Sequence, residues 1–278
     1  MRTIPAAAVL PALLLASPAA AGADEPLSKP AGARWPADRR VSVADVDHAP
    51  FTALLAKYVD GDGFVDYRRW HASAEDRTAL KNYLKRLSRV DAAKPAPKAA
   101  KLAYWINAYN ALTLEGILRV YPTKSIRDHT PKLFGTNIWD DFPLAVGATQ
   151  YSLNDIEHKI LRKLGDPRIH FAIVCASVGC PTLRAEAYTS EAIDRQLDEQ
   201  ARDFFAREKH FSFDAASDTV TASKILSWFG EDFGEDEAAV LARVRPYLPA
   251  AVREAATAPG VTVRYRSYDW SLNDRASR

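Results

Sequence analysis

The sequence predicts an α+β fold, a mainly helical single domain with a buried central helix and a small sheet. Residues 98–120 are apolar on every side, helical spacing recurs in several other segments, and strand-like alternation is confined to short stretches. In 98–120, Leu102, Trp105, Ile106, Tyr109, Leu112, Thr113 and Gly116 repeat at helical spacing, while Ala103, Ala108, Ala111 and Leu114 fill the opposite side. A helix apolar all round is normally buried, so this one is expected to run through the core. Pro95 and Pro97 break the chain ahead of it, and Pro122 closes it.

The other elements follow in chain order. Residues 1–23 have the parts of a secretory signal peptide: Arg2, an apolar run over 4–16, and small residues at Ala19, Ala20, Ala21, Gly22 and Ala23. The run is too short to span a bilayer, and Pro5, Pro11 and Pro18 interrupt it. Cleavage near Gly22 or Asp24 is therefore expected, and the protein reads as exported, periplasmic or secreted. Residues 24–48, rich in Pro, Ala and Arg, read as an extended N-terminal arm, and 49–278 as the globular domain. A helix over 49–58 leads into a turn and extended piece through Gly61, Gly63, Val65 and Tyr67, and 75–89 is amphipathic. Residues 123–151 carry few period signals. Ser152 and Asp155 resemble a capping box that opens a helix to Leu164, which Gly165 ends. A strand is expected over 169–175, a helix over 190–207, and a hairpin over 211–222 turning near 215–218. Helical segments over 224–256 and a last strand over 261–268 complete the chain.

Composition narrows function before any motif does. A formal charge of +2 exerts no long-range pull on nucleic acid or acidic lipid, so neither is an expected partner. A hydrophobic fraction of 47% fits a packed core and not disorder. No segment of the mature chain is apolar and long enough to span a bilayer. Phosphate-cradling Gly-rich loops, H-E-x-x-H and G-x-S-x-G are absent. Cys175 and Cys180 have no histidine pair at zinc-finger spacing, so neither metal nor cofactor is expected. Asp60-Gly-Asp62-Gly-Phe64-Val-Asp66 imitates the opening of a calcium loop. Its sixth position is Val65, its twelfth is His71, and Phe64 cannot coordinate, so it reads as a turn.

What remains centres on residues 157–181. Glu157 falls on the apolar stripe of Leu153, Ile156, Ile160, Leu161 and Leu164, where a carboxyl is costly unless paired and prone to perturbed acidity. His158 shares a side with Asp155 and Arg162. Cys175 leaves the expected strand five residues after His170, and an imidazole can take the proton of such a thiol. A regular strand puts the two on opposite faces, so a bulge, an early strand end, or His158 as the base all stay open. Two cysteines in an exported chain also suit a Cys175–Cys180 disulfide, which would remove the nucleophile. Asn107 and Asn110 read as buried tethers for loops such as 123–151. Ser177 lacks the elbow pattern of a serine nucleophile.

Four blocks then occur in order: Trp105-Ile-Asn107-Ala-Tyr-Asn110-Ala-Leu, Ser152-Leu-Asn-Asp-Ile-Glu157-His158-x-Ile-Leu-Arg162, Asp166-Pro-Arg168-Ile-His170-Phe-Ala, and Cys175-Ala-Ser-x-Gly-Cys180-Pro181. Leu226-Ser-Trp228-Phe and Asp232-Phe233 trail them. Together, over about residues 50–235, they resemble the family catalogued as domain of unknown function 547. The resemblance implies a link to papain- or transglutaminase-like cysteine hydrolases built on a Cys, a His and a Glu, by position Cys175, His170 and Glu157. On that expectation Cys175 attacks the carbonyl of an amide in an unidentified peptide or small substrate. His170 exchanges the proton and Glu157 orients the imidazole. Asn107, His158, Ser177 or backbone amides near 175–179 serve the substrate or the oxyanion. The alternative is a non-catalytic envelope binding or scaffold protein stapled by Cys175–Cys180.

Overall fold

In the computed structural model, which describes residues 25–131 and 135–278, helices α2 (Tyr67–Ala72) and α3 (Ala74–Leu87) pack on α4 (Lys98–Val120), and α1 (Ala49–Tyr58) packs on α2 and α3. The expected signal peptide, residues 1–23, lies outside the described residues. Every residue of α4 over 102–118 is buried, which is what an all-round apolar helix requires. Its one buried acid, Glu115, is satisfied by Arg119 Nε at 2.8 Å, one turn on. The short helix α2 begins where an extended piece was expected, because the Asp66 carboxylate caps the Arg69 N–H at 3.1 Å.

Residues 123–151 are not wholly irregular. They hold a two-stranded antiparallel hairpin, β1 (Leu144–Val146) with β2 (Thr149–Tyr151), too short to leave a period in the sequence. The helix expected from Ser152 does open on a reciprocal capping box, Asp155 N–H to Ser152 Oγ and Ser152 N–H to Asp155 Oδ2, both at 3.1 Å. It then winds as a π-helix over Asp155–Leu161, tightens to a 3₁₀ turn over Arg162–Leu164, and ends at Gly165 with φ +66°.

The strand expected over 169–175 is absent. Pro167–Phe171 is a 3₁₀ turn, begun by Asp166, whose side chain accepts the Arg168 N–H, and by the fixed φ of Pro167. Beyond it the backbone pairs with a side chain instead of a strand. Asn110 of α4 donates through Nδ2 to the Ala172 carbonyl and accepts the Val174 N–H through Oδ1, each at 3.0 Å. With no strand, the objection that His170 and Cys175 must face apart lapses.

The C-terminal half adds α5 (Ile193–Ala206), the hairpin β3 (Phe211–Asp214) and β4 (Thr219–Ala222), the short helices α6 (Lys224–Trp228), α7 (Gly230–Phe233) and α8 (Glu237–Val244), and β5 (Thr262–Tyr265). β3 and β4 pair antiparallel, turning where the sequence expected, and β5 runs parallel to β4. The fold is α+β and mainly helical, with a buried central helix. Its buried side chains form one large cluster around α4 and a smaller one against α5 and the three-stranded sheet, and Tyr268 packs on both. Among the described residues, no helix is long and apolar enough to cross a membrane.

Candidate functional site

At the seam of the two clusters the chain turns sharply after Cys175. Ala176 adopts φ +60°, a left-handed conformation that costs a side-chain-bearing residue about 1–2 kcal/mol and must be held by its surroundings. Asn110 holds the approach, and the C-terminal tail holds the exit. Val178 N–H donates to Ser271 O at 2.8 Å, Gly179 N–H to Asp269 O at 2.8 Å, and Asn273 N–H to Ala176 O at 3.0 Å. The tail thereby brings Tyr268 to the sulfurs. Its Oη lies 3.3 Å from Cys175 Sγ and 3.1 Å from Cys180 Sγ. Both cysteines are free thiols, Cys175 partly exposed and Cys180 buried.

His170 lies on the 3₁₀ turn just upstream and is stacked on Phe229, ring centroids 4.1 Å apart. Its Nε2 is 2.7 Å from Asp232 Oδ2, on α7. The carboxylate that holds the imidazole is therefore Asp232 and not Glu157. Asp232 is also gripped by Arg162, Nε to Oδ2 at 2.6 Å and Nη2 to Oδ1 at 2.8 Å, and Arg162 reaches the neighbouring Glu231 as well. Burial pulls the Asp232 carboxyl up, but Arg162 and His170 outweigh it and hold it below its usual range. Burial pushes His170 down to about 4 against the pull of Asp232, so the imidazole is neutral at pH 7. A neutral ring beside an ionised carboxylate must donate from Nε2, which leaves Nδ1 as the basic nitrogen.

Glu157 is buried on the π-helical turn, a winding often found at functional sites. Tyr109 of α4 donates to its Oε2 at 3.2 Å. Burial pushes the Glu157 carboxyl up to about 7, and the Tyr109 hydrogen bond and the Arg162 charge offset only part of that. His158, one residue on, is exposed and lies 3.3 Å from Arg162 through Nδ1. Burial of part of its ring and then the Arg162 charge lower its pKa.

Cys175, Cys180, His170, His158, Glu157 and Tyr109 line one cavity of about 320 Å³. Trp139, Trp228, Phe229, Tyr268 and Trp270 give it an aromatic wall. Ser177 stands behind the sulfurs, its Oγ 3.0 Å from Cys175 Sγ. Asn107 is elsewhere: it donates to the Tyr188 carbonyl at 2.8 Å and accepts the Tyr188 N–H at 2.9 Å. Both core asparagines are tethers, but of the segments at 172–174 and 188 and not of 123–151. Cys175 and His170 share the cavity without a direct hydrogen bond to each other. Among the described residues, no three of His, Cys, Asp and Glu are grouped to hold a metal ion.

Residues 94–205 match the family model described as a protein of unknown function, DUF547. No curated protein and no solved structure matches the chain. The DUF547-matching stretch contains Asn107, Asn110, Glu157, Arg162, His170, Cys175 and Cys180. Asp232 and Tyr268 lie beyond it. Sequence reasoning noted Asp232 only as part of a trailing block and missed Tyr268 altogether, because each meets its partner through the fold and not through local spacing.

Proposed function

We propose that this chain is an exported thiol hydrolase or acyl-transferase that acts on an amide bond, with Cys175 as nucleophile. The observation that carries the reading is the convergence of a partly exposed thiol, a neutral imidazole anchored by a carboxylate, and a carboxyl shifted to about 7 on one cavity. Titratable groups driven apart by their surroundings divide acid and base roles. The Cys175 thiol gives its proton to the hydroxyl groups hydrogen-bonded to its sulfur and attacks the amide carbon; as the sulfur–carbon bond forms and the carbon–nitrogen bond breaks, the leaving amine takes the Glu157 proton. Water or a second amine then attacks the thioester, gives its proton to His170 Nδ1, and releases Cys175 as a thiolate, which takes its proton back from the same hydroxyl groups, while the His170 proton returns to Glu157 through the water of the cavity. Asp232 steadies the imidazolium that forms. The aromatic wall suits a substrate with a flat apolar group beside the amide.

The test is an acyl-enzyme trap. Purified protein exposed to activated amides or acyl electrophiles should gain one acyl group on Cys175, seen by peptide mass spectrometry, and a Cys175→Ala variant should gain none and hydrolyse nothing. Turnover that survives in Cys175→Ala would sink the reading. The second reading, a binding or scaffold protein stapled by a disulfide, draws on one contact: the Cys175 N–H meets Cys180 Sγ at 2.9 Å, so the two residues already touch. Thiols blocked until reduction in protein recovered from the oxidising compartment would favour it.

A further inference from the structure

The sulfurs are surrounded by more hydrogen-bonding groups than one attacking thiol needs. Cys175 Sγ lies 3.0 Å from Ser177 Oγ, Ser177 Oγ lies 3.1 Å from Tyr268 Oη, and Tyr268 Oη lies 3.1 Å from Cys180 Sγ. Thiol and hydroxyl groups each have a single proton to give, so the chain of contacts runs one way or the other. The Cys175 backbone N–H breaks the tie. It donates to Cys180 Sγ at 2.9 Å, a donor that cannot rotate away, whereas the partners of Cys175 Sγ are hydroxyls. The order that uses every proton once has Cys175 donating to Ser177, Ser177 to Tyr268, and Tyr268 to Cys180.

We propose that Cys180 is the ionised sulfur of the resting pair, and that Ser177 and Tyr268 relay the Cys175 proton to it when Cys175 reacts. Cys175 gives its proton to Ser177 Oγ, Ser177 gives its own to Tyr268 Oη, and Tyr268 gives its own to Cys180 Sγ. No bond between heavy atoms changes. The single negative charge passes from the buried sulfur to the one that is partly exposed. Tyr268 and Ser177 are thus positioning residues, and the C-terminal tail is part of the thiol site.

The electrostatics agree with the geometry. Burial works against a charge on Cys180, but the polar groups gathered at its sulfur, the Cys175 thiol, the Ser177 and Tyr268 hydroxyls and the Cys175 N–H, outweigh it and bring the thiol down to about 6. Cys175, beside that charge and partly buried, is pushed up. Among the described residues, the other titratable groups that interact with the sulfurs are the Tyr67 and Tyr109 phenols, the Glu157 carboxyl, Lys209, which donates to Val178 O at 2.9 Å, and His210. Lys209 favours the anion and Glu157, once ionised, opposes it.

The resting charge does not depend on the enzyme reading; only its use by Cys175 rests on it. Thiolate absorbance should be titrated in the reduced full chain and in Cys175→Ser, Cys180→Ser, Tyr268→Phe and Ser177→Ala. Wild type and Cys175→Ser should show a thiolate already formed at neutral pH. Cys180→Ser should postpone ionisation to the ordinary thiol range, about 8.5, or beyond. Tyr268→Phe should lower the ionisation constant about tenfold, and Ser177→Ala should slow alkylation of Cys175 several-fold while the Cys180 thiolate persists. A first ionisation that vanishes in Cys175→Ser and survives in Cys180→Ser overturns the proposal. So does a folded Tyr268→Phe with an unmoved titration; if that variant does not fold, the serine pair decides. Failure of wild type to cleave any amide would overturn the enzyme reading and leave these titrations standing.

Discussion

His170 Nε2 stands 2.7 Å from Asp232 Oδ2, a contact between residues 62 positions apart that joins the 3₁₀ turn to α7. Its energetic sense is that of a buried neutral histidine: folded His170 titrates at about 4, below the unfolded value near 6.5. The stability it contributes is present above the unfolded value and is lost as pH falls from about 6.5 towards about 4. We expect nitrogen-15 spectra at pH 7 to show His170 neutral with the proton on Nε2. Asp232→Ala should remove that preference and cost about 1.5–3 kcal/mol in urea unfolding, because Arg162 and His170 both lose a charge-assisted partner. An unchanged tautomer in Asp232→Ala would show that the carboxylate does not set it.

Glu157 has the opposite sign. Its folded value, about 7, lies above the unfolded one, so the stability it contributes is present at low pH and lost as pH rises from about 4.5 through 7. Glu157→Gln removes that loss. Relative to wild type, the variant should gain stability with rising pH across this window by about 3 kcal/mol and then run parallel. Denaturant titrations at pH 4.5, 6 and 8 measure it. A difference that does not change with pH would mean that Glu157 titrates normally.

The two core asparagines separate stability from reactivity. Asn107→Ala and Asn110→Ala each remove a side chain that satisfies two buried backbone groups, so each should cost about 2–4 kcal/mol. Only Asn110 holds the segment that delivers Cys175. Alkylation kinetics at Cys175 should change in Asn110→Ala and stay as in wild type in Asn107→Ala, provided that both are measured well below their unfolding midpoints. Equal effects on alkylation would make the Asn110 clamp a matter of general stability.

These contacts also explain what was legible in the sequence. α1 and α4 are legible in the sequence, since prolines and apolar periodicity mark local events. The hairpin over 211–222 was equally local. Residues 169–175 imitate a strand because Ile169, Phe171 and Ile173 alternate as a strand would, while Asp166 and Pro167 already encode a capped turn and Asn110, 62 and 64 positions upstream of its partners, takes the backbone groups a ladder would need. Glu157, His170, Cys175 and Cys180 were visible as residue types in unusual settings. Asp232 for His170, and Tyr268 at 93 positions from Cys175, exist as partners only once the chain is folded.

Gly179 is where backbone packing and thiol chemistry meet. Its N–H donates to Asp269 O at 2.8 Å, and a Cβ at this position would stand 2.9 Å from that oxygen, 3.0 Å from Asp269 N and 3.0 Å from Tyr268 Cε1. The Asp269 atoms are backbone and cannot swing aside, so Gly179→Ala must push the tail off the thiol loop, at about 1–3 kcal/mol. Gly165→Ala is the control: nothing lies within 4 Å of its added Cβ, and its φ of +66° alone should cost about 1 kcal/mol. Both variants should unfold at lower denaturant concentration, but only Gly179→Ala should move Tyr268 from Cys180 and raise the pH at which the first thiolate appears. If Gly179→Ala loses stability and keeps the wild-type thiolate titration, Tyr268 holds its place by side-chain packing on Trp228 and Trp270, and the tail's backbone pairing is not what aims it.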